Sequence, residues 1–228
     1  FVGENIPAGW AVVGDSLAVI DDTICAFHGT LTNRRDLCQD HGLPEDTPPQ
    51  QVILHIHLHK QSDFRALRGA FCFAIIETAN RKLLLVRDQL GSDLLYHATL
   101  PNGTHVFSTS LNNLRRLPGV SSQISLQALF DYLSLGYVPS PLTIFRGIEK
   151  VRPAHRLTIT ENDCDDTTYW QPQFNQKQKI NFHDAVAEAW KLLDVAVKRC
   201  LDVRPSSDVL LSGGIDSNLI LALASTSD

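Results

Sequence analysis

The feature that most constrains the fold is a run of small residues that joins two apolar segments near the C-terminal end. Residues 208–211 read Asp-Val-Leu-Leu, residues 212–217 read Ser-Gly-Gly-Ile-Asp-Ser, and residues 218–224 are mostly apolar again. The short apolar run predicts a buried strand, and the second apolar segment predicts a new helix. A strand, a tight turn and a helix in this order form the corner of an α/β fold.

This corner has the composition of an anion-binding loop. Gly213 and Gly214 let the backbone turn sharply and approach a ligand closely. A helix that begins near Asp216 points its unpaired N–H groups at the same place, and Ser212 and Ser217 add hydroxyl groups. Such an arrangement suits phosphate. A plain strand–turn–helix corner built from small residues is the structural alternative.

Two common phosphate loops do not fit, because the run has neither the Lys of the P-loop nor the spacing Gly-x-Gly-x-x-Gly. Ser-Gly-Gly-x-Asp-Ser instead resembles the loop of the N-type ATP pyrophosphatases. The resemblance implies that ATP binds through its β- and γ-phosphates and that pyrophosphate leaves when an acyl adenylate forms. It also implies that Asp216 holds Mg²⁺, which prefers oxygen ligands. The implied ATP and pyrophosphate residues are Leu211, Ser212, Gly213, Gly214, Asp216 and Ser217.

Composition excludes several classes of protein and of partner. The 228 residues carry a net charge of −5 and are 43% hydrophobic, which is typical of a globular protein. An acidic chain has no general attraction for nucleic acid, so no nucleic-acid partner is expected. No apolar run approaches the roughly 20 residues of a membrane span, so no membrane partner is expected. The five cysteines are irregularly spaced without a C-x-x-C pair, which predicts a reducing, cytoplasmic location.

Hydrophobic patterning predicts a β-rich first part and a helical last part. The predicted strands are 10–13, 17–20, 23–27, 70–77, 82–87, 104–109, 156–160 and 208–211, and the predicted helices are 33–39, 126–134 and one that begins after Asn181. The polar stretch 161–179 is the predicted linker. His55, His57 and His59 would share one face of a strand and could then bind a metal, whereas a helix would align only His55 and His59.

Nearly the whole chain resembles the glutamine-dependent asparagine synthetases. The segments that carry this resemblance are 24–33, 67–74, 86–91 with Leu95-Tyr96, 107–110, Tyr169-Trp170 and the loop 212–217. The resemblance implies an α+β domain followed by an α/β domain. The first, at 1–170, would be a four-layer αββα (Ntn-type) class II glutamine amidotransferase domain, and the second, at 180–228, the start of a Rossmann-like ATP pyrophosphatase domain.

The chain departs from that family at the amidotransferase site. Members use a cysteine at the mature amino terminus, whereas this chain begins with Phe1 and contains no Met. The resemblance implies that roughly fifty residues are missing at the start. Because that N-terminal cysteine is absent, no catalytic residue is identified. The second domain is expected to be truncated, so the fragment alone is expected to be inactive. The resemblance implies that His28 and Gly29 stand for the family's Asn-Gly oxyanion turn and that Thr30 replaces an acidic residue. The acidic residue expected to bind the amine group of glutamine falls near Pro49, which carries no charge. Glutamine hydrolysis is expected to be weakened or lost.

The function implied for the intact protein is ATP-dependent amide ligation. Aspartate, or another carboxylate, would be activated as an acyl-AMP and amidated with nitrogen from glutamine or ammonia, with ATP and Mg²⁺ required. One alternative is a β-lactam synthetase or lasso peptide cyclase, where an intramolecular amine attacks and the glutaminase domain is inactive. Another is a non-catalytic scaffold that binds no ATP. The resemblance also admits a homodimer.

Overall fold

The computed structural model describes residues 16–60, 62–175, 177, 179–204 and 206–225. The chain divides into two compact units between Gln171 and Pro172. The strand predicted at 10–13 lies outside the described residues. Within the described ranges, no helix is both long enough and apolar enough to cross a membrane.

The first unit contains a six-stranded sheet in which every neighbouring pair is antiparallel. Its strands, in spatial order, are β1 (Ser16–Ile20), β2 (Thr23–Leu31), β3 (Gly69–Glu77), β4 (Lys82–Arg87), β8 (His155–Ile159) and β9 (Cys164–Thr168). β3 and β4 are almost continuously apolar and buried because both faces of the sheet are covered at this position. The strands predicted at 70–77 and 82–87 are confirmed, and they pair as a hairpin.

The described residues of this unit also form a three-stranded antiparallel sheet and five short helical segments. The small sheet has the order β6 (His105–Ser108), β5 (Tyr96–Thr99) and β7 (Ile148–Lys150). The helical segments are α1 (Arg34–Asp40), α2 (Pro49–His59), a 3-10 helix (Phe64–Ala66), α3 (Leu111–Leu114) and α4 (Leu126–Leu135). Ser125 caps α4 as expected, since its side chain accepts a hydrogen bond from the Ala128 N–H.

Three clusters of buried side chains show how these elements are layered. The first joins α1 and α2 to one face of the large sheet and includes Leu37, Ile53 and Phe73. The second lies on the other face of that sheet, where Leu85 and Phe107 from the two sheets pack together. The third joins the small sheet to α3. The predicted αββα arrangement is confirmed: helices, large sheet, small sheet, helices.

One expectation for this unit needs correction. The stretch 161–179 is not all linker, because residues 164–168 form β9 at the edge of the large sheet, where their polar side chains remain in solvent. Asp166 of β9 is also held by Arg152 and His155. The large apolar residues of α4 have substantial exposure: Leu126, Leu129, Phe130 and Leu133.

The second unit consists, where described, of two helices. α5 (Phe182–Val203) begins as predicted at Asn181, whose side chain accepts a hydrogen bond from the Asp184 N–H. α6 (Ile215–Ser225) follows the small-residue loop. The strand predicted at 208–211 is wrong: this segment has no strand conformation. A strand needs a neighbour for its backbone hydrogen bonds, and the described part of this unit contains none.

Candidate functional site

The first candidate site lies near one end of β2, where His28 and Gly29 are opposite Cys72 and Phe71 of β3. His28 is half-buried, whereas Gly29 is exposed. Gly29 adopts φ +108°, which favours glycine. A Cβ at this position would collide with the Ala70 carbonyl oxygen and with Oδ2 of Asp93. The Asp93 carboxylate is therefore packed directly against Gly29.

Arg87, at the end of β4, holds the loop that carries Asp93. Its Nε donates to the Asp93 carbonyl oxygen at 2.5 Å, Nη2 to that of Gly91 at 2.6 Å, and Nη1 to that of Val151 at 2.9 Å. Burial lowers the pKa of Arg87, and the adjacent Asp88 carboxylate opposes this effect. One guanidinium group thus ties the loop to the strand before it and to the segment after β7.

Asp88 fixes the same loop from the other direction. Its buried carboxylate accepts backbone N–H bonds from Leu90 at 3.0 Å, Ser92 at 3.1 Å, Asp93 at 3.1 Å and Phe71 at 3.3 Å. Since four backbone donors converge on one carboxylate, the loop has little freedom to move. These hydrogen bonds therefore hold Asp93 in place beside Gly29.

Asp93 changes what this end of β2 can do chemically. A backbone N–H stabilises an oxyanion when no negative charge competes with it, and a carboxylate beside Gly29 supplies such a charge. The sequence gives no signal for this contact, because Asp93 is 64 residues from Gly29 and lies in a loop. Pro49 is the first residue of α2 and brings no charge, as its identity requires.

The second candidate site is the loop 212–217 with the start of α6. The hydroxyl groups of Ser212 and Ser217 are 3.2 Å apart, and the Gly214 N–H donates to the Ser212 Oγ at 3.4 Å. Ser217 Oγ and Asn218 Nδ2 both donate to the Gly214 carbonyl oxygen, at 3.1 and 3.0 Å. Gly213 adopts φ +80° at the turn. The loop is thus a compact hydroxyl-lined turn, held mainly by its own side chains.

Asp216 lies in the first turn of α6, and its side chain is exposed. No hydrogen bond or ion pair to its carboxylate is found among the described residues, so its oxygens are open to a ligand. A hard carboxylate oxygen next to a phosphate-binding turn fits Mg²⁺. Leu211, the remaining predicted member of this site, is exposed before the turn.

The three histidines of the metal alternative lie on α2, so the helical interpretation is confirmed. The rings of His55 and His59 are 4.5 Å apart, while His57 Nδ1 is hydrogen-bonded to Ser62 Oγ at 2.8 Å. His57 therefore points away from the other two. Across the described ranges, no group of three or more His, Cys, Asp or Glu side chains could hold a metal ion.

Comparisons with known proteins match both parts of the chain. The family described as glutamine amidotransferase domain matches residues 30–170, and the family described as asparagine synthase matches residues 188–228. The glutamine-hydrolyzing asparagine synthetase 3 of Bacillus subtilis (strain 168) is 29% identical over 97% of this chain and 36% of its own length. A putative glutamine-hydrolyzing asparagine synthetase of Mycobacterium bovis is 31% identical over 90% of this chain and 33% of its own length.

The chain spans about a third of the length of these curated relatives. A solved structure of the glutamine phosphoribosylpyrophosphate amidotransferase from B. subtilis overlaps 93% of this chain and 47% of its own, with a TM-score of 0.47 and 14% identity. The domain match covers well over half of the chain and is continued by the asparagine synthase match. The chain belongs to the asparagine synthetase family.

Proposed function

We propose that this chain is part of an ATP-dependent amide ligase of asparagine synthetase type. A carboxylate oxygen of the acceptor, aspartate in the simplest case, attacks the α-phosphorus of ATP, and pyrophosphate leaves. An amine nitrogen then attacks the acyl carbon of the acyl-AMP, and AMP leaves. The observation that carries this proposal is the hydroxyl-lined turn at residues 212–217, in a segment that matches the asparagine synthase family.

In this proposal the pyrophosphate half of ATP binds at the turn. Ser212 and Ser217 donate hydroxyl hydrogen bonds, and Gly213 and Gly214 let the phosphates approach the backbone. Leu211 precedes the turn, and Asp216 holds Mg²⁺, which neutralises charge on the phosphates. The proposed limits of the two domains are 1–170 for the amidotransferase-like domain and 180–228 for the ATP-binding domain.

The nitrogen source follows from the first candidate site. His28 and Gly29 are the proposed remnants of an oxyanion turn, and Asp93 places a carboxylate against Gly29. This charge opposes the oxyanion that forms when glutamine is hydrolysed. The proposal is therefore that free ammonia supplies nitrogen more effectively than glutamine, and that the substrates of the intact protein are otherwise the small molecules ATP and a carboxylate.

The central test is Gly213→Asp in the full-length gene product, measured by ATP–pyrophosphate exchange with aspartate. A carboxylate at this turn should repel the phosphates, and we expect exchange to fall at least about 100-fold. Gly103→Asp is the matched control, because Gly103 also has a positive φ, +83°, and open space at its Cβ position. Unchanged exchange in Gly213→Asp would refute the nucleotide site.

The same assay identifies the acceptor and the nitrogen donor. Exchange that requires aspartate supports an asparagine synthetase, whereas indifference to aspartate would point to a ligase that uses an intramolecular amine. Complete absence of ATP binding would point to a non-catalytic scaffold. Product formation with ammonium but not with glutamine would support the proposed role of Asp93, and efficient glutamine turnover would contradict it.

A further inference from the structure

A cavity in the first unit has no part in the proposed function. It has a volume of about 820 Å³ and is lined by residues from the C-terminal end of α2 and from β2, β3, β4, β8 and β9. Thr23, Glu77 and Lys82, which are register partners across β2, β3 and β4, contribute to it. Gly29 is six residues along β2 from Thr23, so the cavity is about 20 Å from the first candidate site.

Arg156 of β8 is the unusual group in this cavity. Leu157 and Ile159, on the same strand, pack between the two sheets. Because successive side chains of a strand point to opposite faces, Arg156 lies on the other face of the sheet, which carries α2. The Nε atom of Arg156 is buried and has no hydrogen-bond partner. Such a buried donor is costly, and native proteins usually satisfy it with a water molecule or a ligand.

Glu77, one of the two carboxylates that line the cavity, is already occupied. Its carboxylate accepts from Asn80 Nδ2 at 2.7 Å and from Lys82 Nζ at 2.9 Å, and it lies 3.3 Å from His57 Nε2. Among the ion pairs of the described residues, none includes Arg156. Among the described residues, no carboxylate therefore forms an ion pair with the guanidinium group of Arg156.

Asp165 of β9 supplies the opposite charge on the same wall. It is the register partner of Thr158, which places it diagonally across from Arg156 on one face of the sheet. Its Oδ2 accepts a hydrogen bond from Thr167 Oγ1 at 2.6 Å, and it takes part in none of the ion pairs of the described chain. Arg156 and Asp165 therefore present separate, unpaired charges to one cavity.

We propose that this cavity binds a free α-amino acid. Its carboxylate accepts hydrogen bonds from the planar guanidinium group of Arg156, which suits two-point contact with a carboxylate. Its ammonium group donates to Asp165. A zwitterion satisfies both unpaired charges at once, whereas a simple anion or a simple amine satisfies only one. The site is independent of the proposed ATP chemistry, since it lies wholly within the first unit.

His57 offers a reporter for this site. Burial lowers the pKa of His57, Lys82 and Arg156 lower it further through their charges, and Glu77 raises it. A carboxylate bound to Arg156 would offset the charge of that guanidinium group. Binding should therefore raise the pKa of His57, while the neighbouring His55, whose pKa is lowered by burial and by His59, should respond much less.

The test is titration of this chain with glycine, acetate and methylammonium, followed by calorimetry and by the NMR signals of the histidine rings. We expect glycine to bind at least about 10-fold more tightly than acetate or methylammonium, and to raise the pKa of His57. Arg156→Met should weaken glycine binding at least about 10-fold, and Asp165→Asn should remove the preference for glycine over acetate. Arg116→Met is the matched control, because Arg116 is exposed and outside the cavity.

Four results would overturn the proposal. Equal binding of acetate and glycine would show a simple anion site. Arg156 would recognise no amino acid if glycine failed to bind at about 50 times the concentration at which acetate half-saturates the site. The same conclusion would follow if glycine binding survived Arg156→Met. A double-mutant cycle showing strong coupling between Arg156 and Asp165 without ligand would show that the two charges pair directly. If Arg156→Met does not fold, Arg156→Lys keeps the charge, loses the two-point contact and should still weaken binding.

Discussion

The two units of this chain differ in how much of their structure is packed and in where their candidate ligand-binding groups lie. In the first unit the scaffold is densely packed, and β3 and β4 are buried almost throughout. The side chains of Arg87 and Asp88 also form hydrogen bonds with backbone groups of the loop after β4. At its candidate site, the Asp93 carboxylate is packed against Gly29. In the second unit the loop 212–217 keeps every residue of its motif, but the described residues around it bury few side chains.

The difference shows that packing and function depend on different residues. A buried carboxylate such as Asp88 stabilises the structure whether or not the adjacent site is active. An exposed loop such as 212–217 can retain its full set of ligand groups without stabilising anything. Substitutions in the two units should therefore have separable effects on stability and on nucleotide binding, and this separation can be measured.

The largest effect is expected for Asp88→Ala in the first unit. The substitution leaves the N–H groups of Phe71, Leu90, Ser92 and Asp93 without their acceptor. A buried unsatisfied donor costs about 1–3 kcal/mol, and three of these four N–H groups are only partly buried. We therefore expect the free energy of unfolding to fall by about 4 kcal/mol. Urea denaturation of the purified chain measures the loss, and hydrogen exchange in β3 and β4 localises it to this unit.

Asp131→Ala is the control for that measurement. Asp131 is on α4, and its side chain accepts one exposed hydrogen bond from Gln127. We expect a change within about 0.5 kcal/mol. A loss below about 1 kcal/mol in Asp88→Ala would show that water replaces the carboxylate easily, and the contrast between the units would be weaker than the contacts indicate.

Acid should destabilise the first unit through His97. Burial lowers the pKa of His97 from its usual value near 6.5 to about 4, with His105 adding to the shift and Asp166 opposing it. Between these values the unfolded chain binds more protons than the folded one, so stability falls as the pH falls from about 7 to about 4. We expect a loss of about 2–3 kcal/mol over that range, measured by urea denaturation at several pH values.

Two variants sharpen this prediction. His97→Gln should flatten the stability profile between pH 7 and pH 4, because the titrating group is gone. His183→Gln, in the second unit, should leave the profile unchanged, since the His183 side chain is 95% exposed. If both variants retained the full pH dependence, another group would have to account for it.

Most of the fold could be predicted from the sequence, and the errors have physical causes. Local patterns specify β3, β4, α5 and the cap of α4. These patterns are the hydrophobic period, the turn residues and an N-cap side chain. β5 and β7, which were not predicted, are four and three residues long, too short to show a period. β9 is polar and depends on pairing with β8, which no local pattern reveals.

The candidate sites divide in the same manner. The residues of the turn at 212–217 are contiguous, so the sequence alone predicts them as a group. Asp93 is brought to Gly29 only by the loop that Arg87 and Asp88 hold in place. Arg156 and Asp165 meet at one cavity only because β8 and β9 pair. Contacts between distant segments require the tertiary structure.

A smaller effect is expected at the start of α5. The Asn181 side chain accepts a hydrogen bond from the Asp184 N–H at 3.0 Å. Removing such a cap costs about 1 kcal/mol, so Asn181→Ala should increase hydrogen exchange in the first turn of α5 without changing exchange in β3 or β4. Asn181→Ser is the matched control and should restore most of the protection, because serine also caps helices. An equal effect of both variants would indicate that the cap does not stabilise this helix.

The smallest effect is expected at Leu210, and it tests the comparison most directly. Leu210 is a large apolar residue in a segment that the sequence predicts as a buried strand, yet its exposed fraction is 92%. Leu210→Ser should therefore change the free energy of unfolding by less than about 0.5 kcal/mol. Leu84→Ser, at a fully packed position of β4, should cost at least about 3 kcal/mol by the same urea measurement. A cost above about 1 kcal/mol for Leu210→Ser would mean that residues 208–211 are packed in a core. In that case the second unit would contain a scaffold as well as a loop.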